Sequence, residues 1–293
     1  MKILVTGANG QVGHWLQQQL RESDREFVAL TRAELDISDA QAVENAVQQI
    51  LPDVIINAAA YTAVDKAEQE RDLAFAINRD GPANLARAAK KINAAILHIS
   101  TDYVFAGDAT GTYSEDAPTA PQGVYGQSKL EGEQAVAAAN DKHIVLRTAW
   151  VFGEHGNNFV KTMIRLGNNR DTLGIVADQE GGPTYAGDIA KALISIAQQY
   201  AAGKTIAWGI YHYAGLPHIS WFGFAQHIFA EAGQAKLYEK AIPQLNAITT
   251  ADYPTPAKRP ANSKLDCSKI ELAFGIAASD WQLALKNINA YSA

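Results

Sequence analysis

The chain has 293 residues, 47% hydrophobic and 19% charged, which is ordinary for a globular protein and long enough to bury a sizeable core. Its net charge is −6 with no basic run, which argues against a general nucleic-acid or membrane surface. The single Cys267 forbids an intrachain disulfide, no apolar run approaches the ~20 residues of a spanning helix, and the first residues enter a strand rather than a signal-peptide core, so the cytoplasm is expected.

Lys2-Ile3-Leu4-Val5-Thr6 is a short, apolar, β-branched run and reads as a buried strand. Gly7, Gly10 and Gly13 follow at three-residue spacing, and His14–Leu20 reads as helix. Glycine permits the tight strand-to-helix turn, lets the backbone approach a pyrophosphate, and allows close packing of helix on strand. The helix N-terminus then offers free N–H groups and a partial positive charge. The spacing is G-x-x-G-x-x-G rather than G-x-G-x-x-G, but its place directly after an N-terminal strand points to a dinucleotide site. Glu26–Leu30 reads as the second strand. A carboxylate about 20 residues past the glycines would bind the ribose 2′-OH of NAD. Thr31 and Arg32 stand there instead, and a guanidinium suits a 2′-phosphate, so NADPH is expected, with NADH the alternative. Asp36 and Ile37 follow, where a side chain and an apolar wall could hold the adenine.

Asp53–Ala60 is the third strand, and its small carboxyl-terminal residues leave room for a cofactor. Helical patterns fill Ala40–Ile50, Leu73–Ile92 and Tyr125–Ala139. Ala95–Ser100 is a strand leading into Thr101 and Asp102, and His143–Arg147 is another leading into Trp150. This alternation implies an α/β chain with a Rossmann-like, doubly wound parallel sheet and ligands at the strands' carboxyl ends. Thr101, Asp102, Tyr125 and Trp150 all lie at or beyond such ends. Past residue 153 the pattern loosens. Phe159–Leu166, Gly187–Tyr200 and Ser220–Ala232 read as helices, Gly209–Ala214 as a short strand, and Trp281–Tyr291 as a last amphipathic helix. The expected organisation is a cofactor-binding domain at 1–153 and a smaller α/β substrate lobe at 154–293, with the chain crossing between them more than once.

Tyr125 and Lys129 stand four residues apart on one helix face. A Lys ammonium held there can lower a Tyr hydroxyl from its reference of about 10, because the cation favours the phenolate. A phenol so tuned can pass a proton to or from a sugar oxygen near neutral pH. The histidines show no metal-ligand spacing. His98, in an apolar strand, reads as a satisfied core histidine, and Glu131 and Glu133 read as a solvated helix face.

The glycine pattern, Asn57-Ala58-Ala59-Ala60, Ser100-Thr101-Asp102-Tyr103-Val104-Phe105 and Tyr125-x-x-x-Lys129 together resemble the extended short-chain dehydrogenase/reductases that act on nucleotide sugars. Four longer segments, at 57–68, 147–152, 156–163 and 259–266, are similar to signatures of the dTDP-4-dehydrorhamnose reductases, and the resemblance runs nearly end to end. It implies NAD(P)H-dependent reduction of the 4-keto group of a dTDP-sugar. In that reading Tyr125 donates the proton, Lys129 holds the nicotinamide ribose and depresses the Tyr125 pKa, and Thr101 hydrogen-bonds the same oxygen. Gly10, Gln11 and Val12 meet the pyrophosphate, Asp36 and Ile37 the adenine, and Ala58, Ala59, Ala60, Tyr61 and Thr62 the rest of the cofactor. Asp102 and Trp150 contact the sugar. Asn158 lies in one of the signatures, and Lys258 or Arg259 could meet the diphosphate.

Some relatives are described as binding Mg²⁺ through acidic side chains near the start of the first helix, at a dimer contact. Trp15 stands at the matching position, and Gly187-Asp188 offers one carboxylate where a hard cation wants several oxygen ligands. That leaves both the Mg²⁺ site and that homodimer short of their residues. Trp15 could instead bury itself in another self-contact. Two other readings share the scaffold. An epimerase or 4,6-dehydratase is one, although a dehydratase needs further acid/base carboxylates where Tyr103 stands. A non-catalytic regulatory subunit is the other, although such relatives commonly lose the Tyr/Lys pair.

Overall fold

Strand and helix alternate from the second residue onward. The computed structural model describes residues 1–23, 25–238 and 241–291. Its first half runs β1 (Lys2–Thr6), α1 (Gln11–Glu22), β2 (Glu26–Leu30), α2 (Ala40–Ile50), β3 (Val54–Asn57), α3 (Val64–Ala67), α4 (Arg71–Phe75), α5 (Gly81–Lys91), β4 (Ala95–Thr101), α6 (Val124–Ala139) and β5 (His143–Thr148). There follow β6 (Val151–Phe152), α7 (Phe159–Asn169), β7 (Thr172–Val176), β8 (Glu180–Gly181), β9 (Thr184–Tyr185), α8 (Ala186–Ala201), β10 (Gly209–His212) and β11 (Ile219–Ser220). The chain ends with α9 (Trp221–Gln234), β12 (Gln244–Ile248), β13 (Asn262–Ser263), α10 (Ser268–Phe274) and α11 (Trp281–Leu285).

Six strands form one parallel sheet in the order β10-β5-β4-β3-β1-β2, which is the doubly wound arrangement the alternation implied. Successive side chains of a strand face opposite sides. Ile3, Val5, Ile56 and Leu97 therefore pack one face with Leu16 and Leu20 of α1 and Ile189 and Leu193 of α8. Leu4, Ile55, Ile96 and Val145 pack the other with Val43, Leu85 and Val136 of α2, α5 and α6. A separate core of Phe152, Met163, Ile175, Phe224, Ile228 and Trp281 holds the smaller lobe together. The chain returns to the large sheet after residue 153, because β10 pairs with β5 and α8 packs on α1.

Leu73–Ile92, expected as one helix, is broken into α4, a π turn at Ala76–Asp80, and α5. Pro82 sits in the first turn of α5 and has no N–H to continue the ladder, so the helix widens just before it. The last expected helix is likewise two short pieces, α11 and a 3₁₀ turn at Ile288–Tyr291. The sequence reading missed β7 and β12, five-residue strands that pair only with each other and stay half exposed, so neither carries a strong apolar run.

Candidate active site

Two adjoining cavities open at the carboxyl ends of β1, β3, β4 and β5. The larger, of 640 Å³, is lined by Gly10, Gln11 and Val12 at one end and by Thr101, Asp102, Tyr125, Lys129 and Trp150 at the other. The smaller, of 340 Å³, is lined by Gly7, Gly10, Arg32, Asp36, Ile37 and Tyr61. Gly10, Ala58, Ala59, Ala60 and Thr62 line both, so together they make one elongated cleft.

At the catalytic end, α6 carries Tyr125 and Lys129 one turn apart against β4. Lys129 is 2% exposed, and its Nζ donates to the Ile99 carbonyl at 2.6 Å. The Thr101 hydroxyl donates to Asp102 Oδ1 at 3.0 Å, and Ser263 Oγ donates to Asp102 Oδ2 at 2.5 Å. Burial dominates the electrostatics. It pushes the Asp102 carboxyl up to about 6 and the Lys129 ammonium down to about 8, with Glu133 opposing the fall. The depression of Tyr125 by Lys129 is not what the chain alone provides. Burial pushes the Tyr125 hydroxyl up to about 12, the nearby Thr101 hydroxyl opposes the rise, and the Asp102 charge adds to it. The Lys129 ammonium is turned toward the Ile99 carbonyl rather than the phenol.

The glycine turn at the other end is tightly built. Gly7 has φ +75°, and a Cβ on Gly13 would lie 2.1 Å from the Gly7 carbonyl oxygen, so α1 can sit this close to β1 only without a side chain. Gly10 caps α1 with no side-chain hydrogen bond, and no acidic residue stands in the first turn. The N-terminal N–H groups of α1 are thus left for a ligand, which fits a pyrophosphate. Arg32 lines the smaller cavity beside Asp36, whose carboxylate is held by Ser38. Thr31 lies off the cleft, with both its N–H and its hydroxyl donating to Glu34 Oε2 at 2.8 Å.

A model of the RmlD substrate binding domain matches residues 1–292. The chain belongs to that family. It is 55% identical over 292 residues to a dTDP-4-dehydrorhamnose reductase of Aggregatibacter actinomycetemcomitans, with 99% of each chain covered. Among solved structures it superposes on a dTDP-4-dehydrorhamnose reductase of Clostridium acetobutylicum with a TM-score of 0.91 at 42% identity, covering 99% and 98% of the two chains. Against a Bacillus anthracis dTDP-4-dehydrorhamnose reductase in complex with NADP the TM-score is 0.90 at 37% identity, with 98% of each covered.

Several details of this RmlD-family chain were not legible in its sequence. Glu133, expected on a solvated face, is 2% exposed and grips Arg147 of β5 through three contacts of 2.7–3.2 Å. Position i+4 from Lys129 puts it on the inner face of α6. Ser100 and Thr148, at the carboxyl ends of β4 and β5, line the larger cavity with buried hydroxyls that have no hydrogen-bond partner, which is where a ligand would supply one. Trp150 adopts φ +50°, uncommon for a bulky residue and of order 1–3 kcal/mol in cost, and its ring stacks on Trp221 at 3.5 Å. No motif linked those two indoles.

Other expected residues lie elsewhere. Asn158 does not line the cleft. Its oxygen caps α7 through the Lys161 N–H, and its amide nitrogen donates to Gly153 O and Gln11 Oε1; its neighbour Asn157 lines the cavity instead. Arg259 lines a third cavity of 650 Å³ and pairs with Asp65 at 2.7 Å. Trp15 is folded into its own chain, with Nε1 donating to Glu154 Oε2 at 3.0 Å and its ring edge-on to Tyr185. Asp188 accepts from Ser279, and no group of three or more His, Cys, Asp or Glu among the described residues is arranged to hold a metal ion. No helix among them is long and apolar enough to cross a membrane.

Proposed function

We propose that the chain is a dTDP-4-dehydrorhamnose reductase, reducing the 4-keto group of dTDP-4-dehydro-β-L-rhamnose to dTDP-β-L-rhamnose with NADPH. The observation that carries this reading is one cleft joining Tyr125, Lys129, Thr101 and Asp102 to the uncapped N-terminus of α1. When bound, the dihydronicotinamide supplies the hydride. Gly10, Gln11 and Val12 hold the pyrophosphate, Arg32 meets the 2′-phosphate, and Ala58 to Thr62 line the path between.

The chain's own residues manage the proton. With its pKa raised by burial, Tyr125 is fully protonated at neutral pH, the form a reductase needs. The alkoxide that develops on the sugar is a far stronger base than a phenolate, so transfer from Tyr125 runs downhill. The Thr101 hydroxyl, which otherwise donates to Asp102, turns its proton to the same oxygen, and the Lys129 ammonium, buried one turn along α6, resupplies the phenolate through an intervening hydroxyl or water. Trp150 and Asp102 wall the sugar. We place the enzyme in the cytoplasm, where its product would serve as an activated sugar for cell-surface polysaccharide.

The test is NADPH oxidation followed by absorbance, with the keto sugar generated in situ and the protein added last. Oxidation must depend on the sugar. Tyr125→Phe should keep NADP⁺ binding while turnover falls roughly 10²–10⁴-fold. Retained turnover would remove Tyr125 from this role, and bound cofactor without oxidation would point to another nucleotide sugar.

A further inference from the structure

Three strands contribute one polar residue each at a single register: Thr6 of β1 opposite Asn57 of β3, and Asn57 opposite His98 of β4. All three are buried, on the sheet face that α6 covers. The row is hydrogen-bonded in one direction. Asn57 Oδ1 accepts from the Thr6 hydroxyl at 2.7 Å and from the Ala59 N–H at 3.1 Å. Its oxygen is thereby committed, and its Nδ2 faces His98 Nδ1 at 3.0 Å as a donor. Nδ1 must accept. A neutral imidazole carries one N–H, so that hydrogen is on Nε2. The ring stays neutral, because burial, and after it the Lys129 charge, hold its pKa well below the usual range. Nε2 in turn lies 3.5 Å from Lys129 Nζ.

We propose that His98 is a positioning residue of the reduction, locked by Asn57 into the Nε2–H tautomer so that this N–H confronts the Lys129 amine and makes Lys129 a ready proton donor to Tyr125. An imidazole nitrogen with a free lone pair would accept from the ammonium and hold its proton. An N–H pointing at it does the reverse, favouring the neutral amine. The other groups around Lys129 are accounted for. Glu133 lies one turn on along α6, where it pairs with Arg147 of β5 and its charge still opposes the fall of the Lys129 pKa. Arg79 of the π turn pairs with Asp80 and Glu131 on the outer side of α6. Asp102, past the end of β4, acts on Tyr125 and on Tyr103, not on Lys129. The Ile99 carbonyl accepts from Nζ at 2.6 Å whichever tautomer His98 adopts, so His98 is the neighbour whose hydrogen-bonding sense can change how firmly Lys129 keeps its proton.

The balance is simple. The carbonyl carbon gains hydride, and its oxygen takes the Tyr125 proton. The phenolate then regains a proton at the expense of the Lys129 ammonium through an intervening hydroxyl or water, since Nζ is turned to the Ile99 carbonyl, and the amine recovers its proton from solvent. Activity should fall as pH rises through the Lys129 titration, because the ammonium is the competent form. This inference rests on the reductase reading, and its test separates the two. In ¹⁵N-histidine-labelled protein, the resonance lost in His98→Gln should belong to a neutral Nε2–H ring from about pH 6 to about pH 9, with and without NADP⁺. An Nδ1–H ring or an imidazolium would overturn the proposal. In His98→Gln the terminal amide can turn its oxygen to the ammonium, so the basic limb of kcat should move up by about one pH unit. An unmoved limb in a variant that still binds NADP⁺ would overturn it too. Inactive wild-type protein with the Nε2–H ring intact would overturn the reductase reading, and the role of His98 with it, while the tautomer would stand as measured.

Discussion

Removing Glu133 should damage stability far more than its place in the sequence suggests. Glu133→Ala leaves the Arg147 guanidinium buried without its counter-charge. Both side chains are 2% exposed, and both carboxylate oxygens are used. What remains for Arg147 is the Phe105 ring face at 5.0 Å and the Glu115 carbonyl at 3.5 Å, and neither replaces a carboxylate. Breaking one side of a buried pair costs about 3–5 kcal/mol. Unfolding entropy of about 2.1 cal/mol/K per residue, taken over 293 residues, converts that into a fall in Tm of about 5–8 °C. Calorimetry on Glu133→Ala, Arg147→Met and the double variant Glu133→Leu/Arg147→Met measures it. The double variant removes both charges and should come within about 1–2 kcal/mol of wild type, because no unpaired charge is left inside. A Glu133→Ala cost under about 1 kcal/mol, or a double variant as poor as the sum of the singles, would refute the argument that burial of an unpaired charge sets the penalty.

Two further outcomes follow from the site. Gly13→Ala should push α1 away from β1 and weaken NADP⁺ binding at least about tenfold, because the new Cβ would lie 2.1 Å from the Gly7 carbonyl oxygen and 2.9 Å from the Ala8 backbone; fluorescence titration with unchanged affinity would contradict this. Asp102 should make folding pH-dependent: its carboxyl titrates at about 6 when folded against 3.8 as the ordinary value, so its contribution is full below about pH 4 and is lost as pH rises through 6. Asp102→Asn cannot ionise, so relative to wild type it should gain roughly 2.4 kcal/mol between pH 4 and pH 7 in urea unfolding, and parallel stability curves for the two proteins would rule the effect out.

Local signals carried much of the fold. β1 and β2 were legible residue for residue, because each is a short, mainly apolar run; β1 has both faces covered, and β2, at the sheet edge, is half-buried. The turn at Gly7, Gly10 and Gly13 announced itself by spacing, since each glycine answers a local steric demand. Residues brought to the cleft from distant positions, including Thr101, Asp102, Tyr125, Lys129 and Trp150, were found because each stands at a strand end or on the helix facing one. Asn158 and Arg259 were drawn toward the cleft by motif alone, and their side chains are spent on a helix cap and on Asp65.

By itself, the sequence determined the parallel α/β sheet, the glycine turn, the Tyr125/Lys129 pair and the family resemblance, because periodicity, glycine spacing and short motifs are set by neighbours in the chain. Tertiary structure decided which way each polar group is wired. Glu133 differs from an exposed helix glutamate only in that Arg147, fourteen residues on, faces it from β5. His98 differs from an ordinary core histidine only in standing between Asn57 of the adjoining strand and Lys129 of the covering helix. The pKa of Tyr125 moved opposite to the expectation for the same reason. Desolvation depends on everything packed around a group, and two residues at i and i+4 do not contain that information.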